Sequence, residues 1–237
     1  MEPISLLEGI ATTRAIRRYT DEPVAEADLA TILWSATRAP SGSNRQPARF
    51  LVLRDGPGAR EAKALLARAA RMAWSSKVDA DGYEKGSGAD PTSPKARVAR
   101  TMQRFVDRFE DTPVVVLALL HRYRSPNPTE GANVYPACQN LLLAARALGY
   151  GGVLTLWQGL VEDELRAVLG IPPEVALAAT ISLGRPEGHH GPVRRRPLSE
   201  LVYEDRWEAS AAWATDPEGT RYTAAGPPKG RSRGNAG

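Results

Sequence analysis

The stretch APSGSNRQP, residues 39–47, is the part of this sequence from which the fold can be worked out. It follows a run with helical spacing and leads directly into the apolar run 50–53. Small side chains and groups that hydrogen-bond to the nearby backbone are typical of turns, and many such turns only connect two elements. A second segment upstream makes a functional role of this turn more plausible than a simple connection. It reads TTRAIRRY at residues 12–19 and carries three arginines within five residues.

The two segments together resemble the N-terminal signatures of the nitroreductase family, whose members are FMN-dependent flavoenzymes. In that family an Arg-Arg-Ser-x-Arg segment binds the flavin, and an Ala-Pro-Ser-x-x-Asn-x-Gln-Pro-Trp turn packs around it. The resemblance covers most of residues 10–205. It implies an α+β fold with helices around a mostly antiparallel sheet, and FMN at the interface of a homodimer. The sequence departs from the pattern at Thr13, Ala15 and Ala48, which stand where the family has Arg, Ser and Trp.

The same resemblance implies which residues contact the cofactor. Of Arg14 and Arg17, one is expected near the phosphate or ribityl chain and the other near the pyrimidine end of the flavin. The segment after the glycine-rich end of a helix, at 149–152, would offer backbone N–H groups to the ring. A basic block at 193–198 would reach the phosphate, because a guanidinium can hold a phosphate through two hydrogen bonds. The expected cofactor-binding residues are Arg14, Ala15, Arg17, Pro40, Ser41, Ser43, Asn44, Leu154, Thr155, Leu156, Arg194 and Arg195. Arg195 is the first choice for the phosphate. Considered without the resemblance, the arginines at 14–18 and those at 194–196 are typical of a solvated surface.

Composition narrows the class of protein. A chain of 237 residues, 42% hydrophobic, can bury the core of one domain. The net charge is only +4 and no nucleic-acid motif is present, so we expect no nucleic-acid partner. The single cysteine, Cys138, excludes an intrachain disulfide and favours a reducing compartment. The N-terminus has no signal-peptide pattern, and the longest apolar run, 113–120, is too short for a membrane helix. We therefore expect a cytoplasmic protein that does not bind membranes.

Hydrophobic periodicity predicts the order of elements. Strands are expected at 50–53, 114–120, 153–157 and 176–183, and helices at 1–11, 26–38, 58–73, 95–109, 132–149 and 161–169. The polar, glycine-rich stretch 75–94 predicts a mobile loop. The helix 132–149 is apolar almost all round, which indicates a central helix or a subunit interface. These elements predict one domain over residues 1–213, followed by a disordered tail at 214–237 that is rich in Gly and Pro.

Other motifs add little chemistry. The three histidines, His121, His189 and His190, form no metal-ligand spacing with Cys138, so no metal is expected. Cys138 lies in the most apolar predicted helix and is interpreted as a core residue rather than a nucleophile.

The chemistry implied by the resemblance is hydride transfer through FMN. NADH or NADPH would reduce the flavin, and a small electron-poor molecule such as a nitroaromatic or a quinone would reoxidise it in the same place, giving ping-pong kinetics. No catalytic residue is expected, although Arg17 near the N1/O2 edge would stabilise the reduced ring. Three alternatives stay open. The same fold could catalyse dehalogenation, dehydrogenation or flavin fragmentation. The protein could instead bind or sequester FMN without turnover, or act as a small basic adaptor without a cofactor.

Overall fold

A computed structural model of the protein describes residues 4–224. The chain divides into two compact units, the first ending at His190 and the second beginning at Gly191. The first unit therefore ends before the domain boundary expected at 213.

A four-stranded antiparallel sheet forms the centre of the first unit. Its strands are β1 (Ala48–Leu53), β2 (Val114–His121), β3 (Gly151–Thr155) and β4 (Val175–Gly184), in the order β1-β2-β4-β3. The inner strands β2 and β4 are buried on both faces, which is why their sequences are continuous apolar runs rather than alternating ones. Together with the helices that cover the sheet, this confirms the predicted α+β fold with a mostly antiparallel sheet.

The two ends of this sheet are distinguished by the residues that pair there. At one end Val114 of β2 pairs with Leu183, and β3 begins with Gly151 beside Gly184; this is called the Gly184 end. At the other end β1 begins with Ala48 beside Leu120; this is called the Ala48 end. The strand β2 runs from Val114 to Leu120 between the two ends, which corresponds to about 20 Å.

Helices cover both faces of the sheet. They are α1 (Leu6–Thr12), α2 (Glu26–Ala36), α3 (Pro57–Asp81), α4 (Pro94–Asp107), α5 (Tyr135–Ala147) and α6 (Glu162–Leu169). One face packs on α2 and α5 around Ile32, Leu141 and Ile181. The other packs on α3, α4 and α6 around Leu66 and Leu165. Alternate residues of β2 enter the two cores, as the period of a strand requires.

Helix α3 is longer than the sequence pattern predicts. Residues 75–81, expected in a mobile loop, are its last turns. Trp74 is buried and its indole Nε1 donates to Gln103, which anchors this part of the helix on α4. Lys77 and Asp81 form an ion pair one turn apart. The helix ends at Gly82, whose left-handed backbone (φ 60°, ψ 47°) is a conformation that glycine adopts without strain.

Helix α5 is buried on one face only. Ala137, Cys138, Leu141 and Ala145 enter the core, whereas Ala147 is exposed. The alternative of a central helix therefore does not hold within the described chain, and the other alternative, a subunit interface, stays a prediction. Cys138 lies in the core as interpreted, and burial raises the pKa of its thiol to about 11.

The second unit contains one parallel pair of short strands, β5 (Arg194–Arg195) and β6 (Arg221–Tyr222). The Thr223 amide extends the pairing by donating to the Arg195 carbonyl at 3.0 Å. The expected disordered tail begins at 214, yet residues 214–224 are described and include β6. The rest of that expected tail lies outside the described residues.

Neither a membrane span nor a metal cluster is found in residues 4–224. None of their helices combines the length and apolarity needed to cross a bilayer. Within the same range, no group of three His, Cys, Asp or Glu residues is placed to hold a metal ion.

Candidate functional site

The arginine-rich segment lies at the Gly184 end of the sheet. The Ile16 amide donates to the Gly152 carbonyl of β3 at 3.0 Å, and the Thr20 amide donates to the Arg185 carbonyl at 2.9 Å. A side chain added at Gly151 would collide with Ile16. Gly151 therefore lets the segment lie directly against the strand.

Tyr19 fixes this segment to the sheet. Its hydroxyl donates to the Ile16 carbonyl at 2.6 Å and lies 2.8 Å from the hydroxyl of Ser182 on β4. Burial raises the pKa of Tyr19 well above its usual value, so the hydroxyl stays protonated and can donate.

Arg17 is the most informative residue of the segment. Its side chain is half-buried near Tyr19 and Tyr83, and desolvation lowers the pKa of its guanidinium. Its buried Nε has no hydrogen-bond partner among the described residues. A buried donor without a partner costs on the order of 1–3 kcal/mol. The protein encloses this Nε, so a ligand with oxygen acceptors would contact the rest of the half-buried Arg17 side chain.

Arg14 and Ala15 are exposed, and the backbone at Arg14 is held by a residue that sequence analysis did not single out. The Arg14 amide donates to Nδ1 of His190 at 3.5 Å, and Nε2 of His190 lies 3.1 Å from the Tyr150 carbonyl, to which it donates. One nitrogen accepts and the other donates, which is the pattern of a neutral imidazole. Desolvation lowers the pKa of His190, and the nearby charges of Arg146 and Arg14 lower it further, against the opposing effect of the Tyr150 hydrogen bond.

The predicted residues Leu154 and Thr155 lie on β3, at the outer edge of the sheet, and Leu156 directly follows the strand. Gly152 directs its carbonyl outward to Ile16, so the alternate residue Leu154 directs its backbone N–H to the same edge. Thr155 faces the sheet, and its hydroxyl donates to the Thr180 carbonyl at 3.4 Å. The Leu156 side chain is 59% exposed. Of the three, Leu154 and Leu156 are therefore the ones whose groups a ligand can reach from outside.

The loop 39–46 lies at the opposite, Ala48 end. The residues Ser43, Asn44 and Gln46 have φ near +50°, a left-handed backbone that side chains disfavour. Strain of this kind persists only where the surroundings impose it, and it is concentrated at functional sites. The Gln46 amide donates to the Ser41 hydroxyl at 2.9 Å, so the Ser41 oxygen is already used inside the loop.

Asn133 provides the second constraint on this loop. Its Oδ1 accepts from the Gly42 amide at 2.9 Å, and Asn133 directly precedes the turn into α5. Neither segment signature contains Asn133. Only the fold brings it next to Gly42, and no local sequence signal indicates the contact.

The predicted cofactor residues thus form two groups within the first unit. Arg14, Ala15 and Arg17 lie at the Gly184 end with β3, whereas the loop that holds Pro40 to Asn44 lies at the Ala48 end. About 20 Å of sheet separates them. One chain does not bring the two signatures together.

Arg194 and Arg195 belong to the second unit, where both are exposed on β5. The Arg195 side chain donates to the Arg194 carbonyl at 2.9 Å. Their neighbour Arg196 is paired with Glu200. Within the described residues Arg194 and Arg195 have no carboxylate partner, so their charge is available, whereas that of Arg196 is already neutralised.

A separate apolar groove runs between α1, α2 and α5. Leu6 and Trp34 are 71% and 62% exposed there, which is unusual for such large apolar side chains. The groove encloses about 400 Å³ and is also lined by Leu143 and Ala147 of the exposed side of α5. Apolar surface of this kind is typical of an interaction site.

Comparison with known proteins identifies the family. A model described as the nitroreductase family matches residues 10–185. A Thermus thermophilus protein named NADH dehydrogenase is 31% identical over 197 residues, covering 80% of this chain and 90% of the relative. An Archaeoglobus fulgidus protein named as an NADH dehydrogenase/NAD(P)H nitroreductase is 30% identical over 186 residues, covering 76% of this chain and 85% of the relative.

A solved structure agrees with the sequence relatives. It is a nitroreductase from Desulfovibrio desulfuricans in complex with FMN, 29% identical, with a TM-score of 0.62, covering 87% of this chain and 99% of that one. At the level of the family, the relatives confirm the predictions of an oxidoreductase, of FMN and of NAD(P)H. Because the family model spans well over half of the sequence and agrees with the fold, this chain belongs to the nitroreductase family.

Proposed function

We propose that this protein is an FMN-dependent oxidoreductase that takes hydride from NADH or NADPH and passes it to small electron-poor molecules such as nitroaromatics or quinones. Turnover would be ping-pong, with reductant and oxidant using one cleft in turn. Family membership and the names of the relatives support the reaction class. The single thiol is buried and forms no intrachain disulfide, so the chain can fold under reducing conditions, which fits the cytoplasm.

One observation carries the proposal further, to a homodimer in which two chains build each site. The two signature segments lie about 20 Å apart at opposite ends of the sheet. A two-fold axis can bring the Gly184 end of one protomer next to the loop 39–46 of its partner, because such an interface pairs different residues reciprocally. The apolar groove of α1, α2 and α5 offers the surface that such a dimer would bury.

The residues of this chain fit FMN in distinct roles. The flavin supplies the hydride chemistry when bound. Arg17, whose side chain is half-buried, would hold the N1/O2 edge through its guanidinium and stabilise negative charge there. Backbone N–H groups at Leu154 and Leu156 would face the ring. Arg14 and the second unit's Arg194 and Arg195 would hold the phosphate, with Arg195 as first choice.

A mixed dimer tests whether the site is shared between chains. One chain, with its own affinity tag, carries Arg17→Ala. The other, with a second tag, carries Asn44→Val, which places a β-branched side chain at φ +51° and removes the amide. Both tags are used to purify the mixed dimer, and bound FMN is measured from its visible absorbance.

Sharing between chains predicts half the FMN content of the wild type. In that arrangement both defects fall on one site and the other site is intact. The homodimer of each variant serves as the control and is expected to hold little FMN. If each site came from one chain, both sites of the mixed dimer would be defective and FMN would be lost, which contradicts the shared site. A colourless wild type that takes up no added FMN would contradict the function itself. FMN without NADPH oxidation in the presence of a quinone would favour a binding or sequestering protein.

A further inference from the structure

Two arginines converge on one tyrosine next to the loop 39–46. The guanidinium carbon of Arg45 lies 4.9 Å from the ring centroid of Tyr123, and that of Arg124 lies 5.3 Å from the same centroid. Arg45 is the last but one residue of the loop, and Tyr123 and Arg124 lie two and three residues after the end of β2. All three side chains are exposed. The fold therefore gathers two positive charges from segments far apart in sequence at the Ala48 end.

The charge of this cluster is not balanced by the protein. Within residues 4–224, neither Arg45 nor Arg124 has a carboxylate partner. The exposed Arg68, by comparison, pairs with Glu164. Two guanidiniums on one ring repel each other unless an anion lies between or beside them.

The adjoining cavity supports an anion site. It encloses about 100 Å³ and is lined by residues 120–124 and by Asn127, Thr129, Glu130 and Asn133. Glu130, the one acid in this lining, accepts from both Nε and Nη2 of Arg122 at 3.0 and 2.7 Å. Hydrogen bonds from Arg122 lower the pKa of Glu130, so this pair is stable and leaves Arg124 and Arg45 as uncompensated charge.

We propose that Arg45 and Arg124, held against Tyr123, bind the 2′-phosphate of NADPH and give the enzyme a preference for NADPH over NADH. This proposal rests on the proposed function. A phosphate monoester carries nearly two negative charges near neutral pH, whereas each phosphate of the pyrophosphate bridge carries one. Two forked guanidiniums match the doubly charged group in charge and in hydrogen-bond geometry. Arg45 directly follows Asn44, so the cluster lies beside the loop that is expected to line the cofactor cleft.

The test uses the double variant Arg45→Ala/Arg124→Ala and two measurements. The first is the KM for NADPH and for NADH, with a quinone as oxidant. The second is calorimetric titration with adenosine 2′,5′-bisphosphate and with 5′-AMP, which differ by the 2′-phosphate and need no turnover. Arg68→Ala is the control, because it removes one exposed charge from a surface ion pair. The double variant Arg45→Lys/Arg124→Lys keeps both positive charges but loses the bidentate hydrogen bonding of the guanidinium groups.

We expect the alanine double variant to raise the KM for NADPH about tenfold or more and to change that for NADH less than about twofold. The affinity for adenosine 2′,5′-bisphosphate should fall by a similar factor, and the lysine variant should lie between the two. Arg68→Ala should match the wild type. Unchanged binding of the bisphosphate would overturn the proposal, and so would equal losses for NADPH and NADH, which would point to the pyrophosphate. Absence of turnover in the wild type would contradict the proposed function, while the titration would still decide the phosphate site.

Discussion

The two ends of the central sheet hold their signature segments by different means. At the Gly184 end the backbone of Arg14 is fixed by a histidine, and the buried Nε of Arg17 has no hydrogen-bond partner among the described residues. At the Ala48 end the loop 39–46 has a left-handed backbone, fixed by the neutral oxygens of Asn133 and Ser41. The difference indicates a division of labour. We propose that the Gly184 end contributes charge to the site, and that the left-handed backbone at Ser43, Asn44 and Gln46 fixes the shape of the loop.

The largest loss of FMN affinity is expected from removing the arginines that are proposed to bind its phosphate. Arg14→Ala and Arg195→Ala, made separately, should each weaken FMN binding by roughly 1.5–3 kcal/mol, the range for hydrogen bonds to charged groups. Riboflavin, which lacks the phosphate, should lose much less. Fluorescence titration of the apoprotein with both ligands measures this. Arg196→Ala, whose charge is already paired with Glu200, is the matched control. Equal losses for FMN and riboflavin would show that the residue does not contact the phosphate.

Arg17→Ala should change the redox behaviour rather than only the affinity. A cation beside the N1/O2 edge interacts more strongly with reduced, anionic flavin, so removing it should lower the reduction potential by some tens of millivolts. For a two-electron couple, about 30 mV corresponds to about 1.4 kcal/mol. Potentiometric titration with FMN in excess measures the shift. Arg195→Ala should leave the potential nearly unchanged, because the phosphate charge is the same in both redox states. If Arg17→Ala left the reduction potential unchanged, Arg17 would have no electrostatic role toward the reduced flavin and would be only an anchor or a surface charge.

A smaller effect is expected at the loop, and it should not depend on charge. Asn133→Ala removes the acceptor for the Gly42 amide, which should weaken FMN and riboflavin alike by about 1 kcal/mol. Asn133→Asp keeps an oxygen at this position and should restore most of the affinity. The same titrations measure both variants. If Asn133→Ala weakened the binding of FMN but not that of riboflavin, the proposed difference between the two ends of the sheet would be wrong.

The smallest effect concerns pH at the Gly184 end. His190 has a lowered pKa in the folded protein, so the unfolded chain binds its proton first as the pH falls. Its contribution to stability is complete above the ordinary histidine pKa of about 6.5 and declines below it. His190→Gln should therefore flatten the fall in unfolding free energy between about pH 7 and pH 5, measured by urea denaturation. The control is His189→Gln, which changes the exposed neighbouring histidine. Parallel profiles for all three proteins would refute this role for His190.

Local sequence patterns predicted the parts of the fold that depend on local physics. The continuous apolar run 114–120 indicated a strand buried on both faces, and β2 is that strand. Glycine content misled the interpretation of 75–94, because the helix continues past Trp74 until Gly82 ends it. The two signature segments could be recognised from their resemblance to the family. Their supports could not, because Asn133 lies 91 residues from Gly42 and His190 lies 176 residues from Arg14.

The buried thiol of Cys138 has a practical consequence. With its pKa raised to about 11 and its side chain in the core, it reacts only when α5 separates from the sheet. It is the sole cysteine of the chain, so every modification event reports that one opening. The labelling rate with a small thiol reagent, compared with that of a model thiol, gives the free energy of opening of this helix without any engineered probe. Cofactor or partner binding that stabilises the helix would be detected directly as slower labelling.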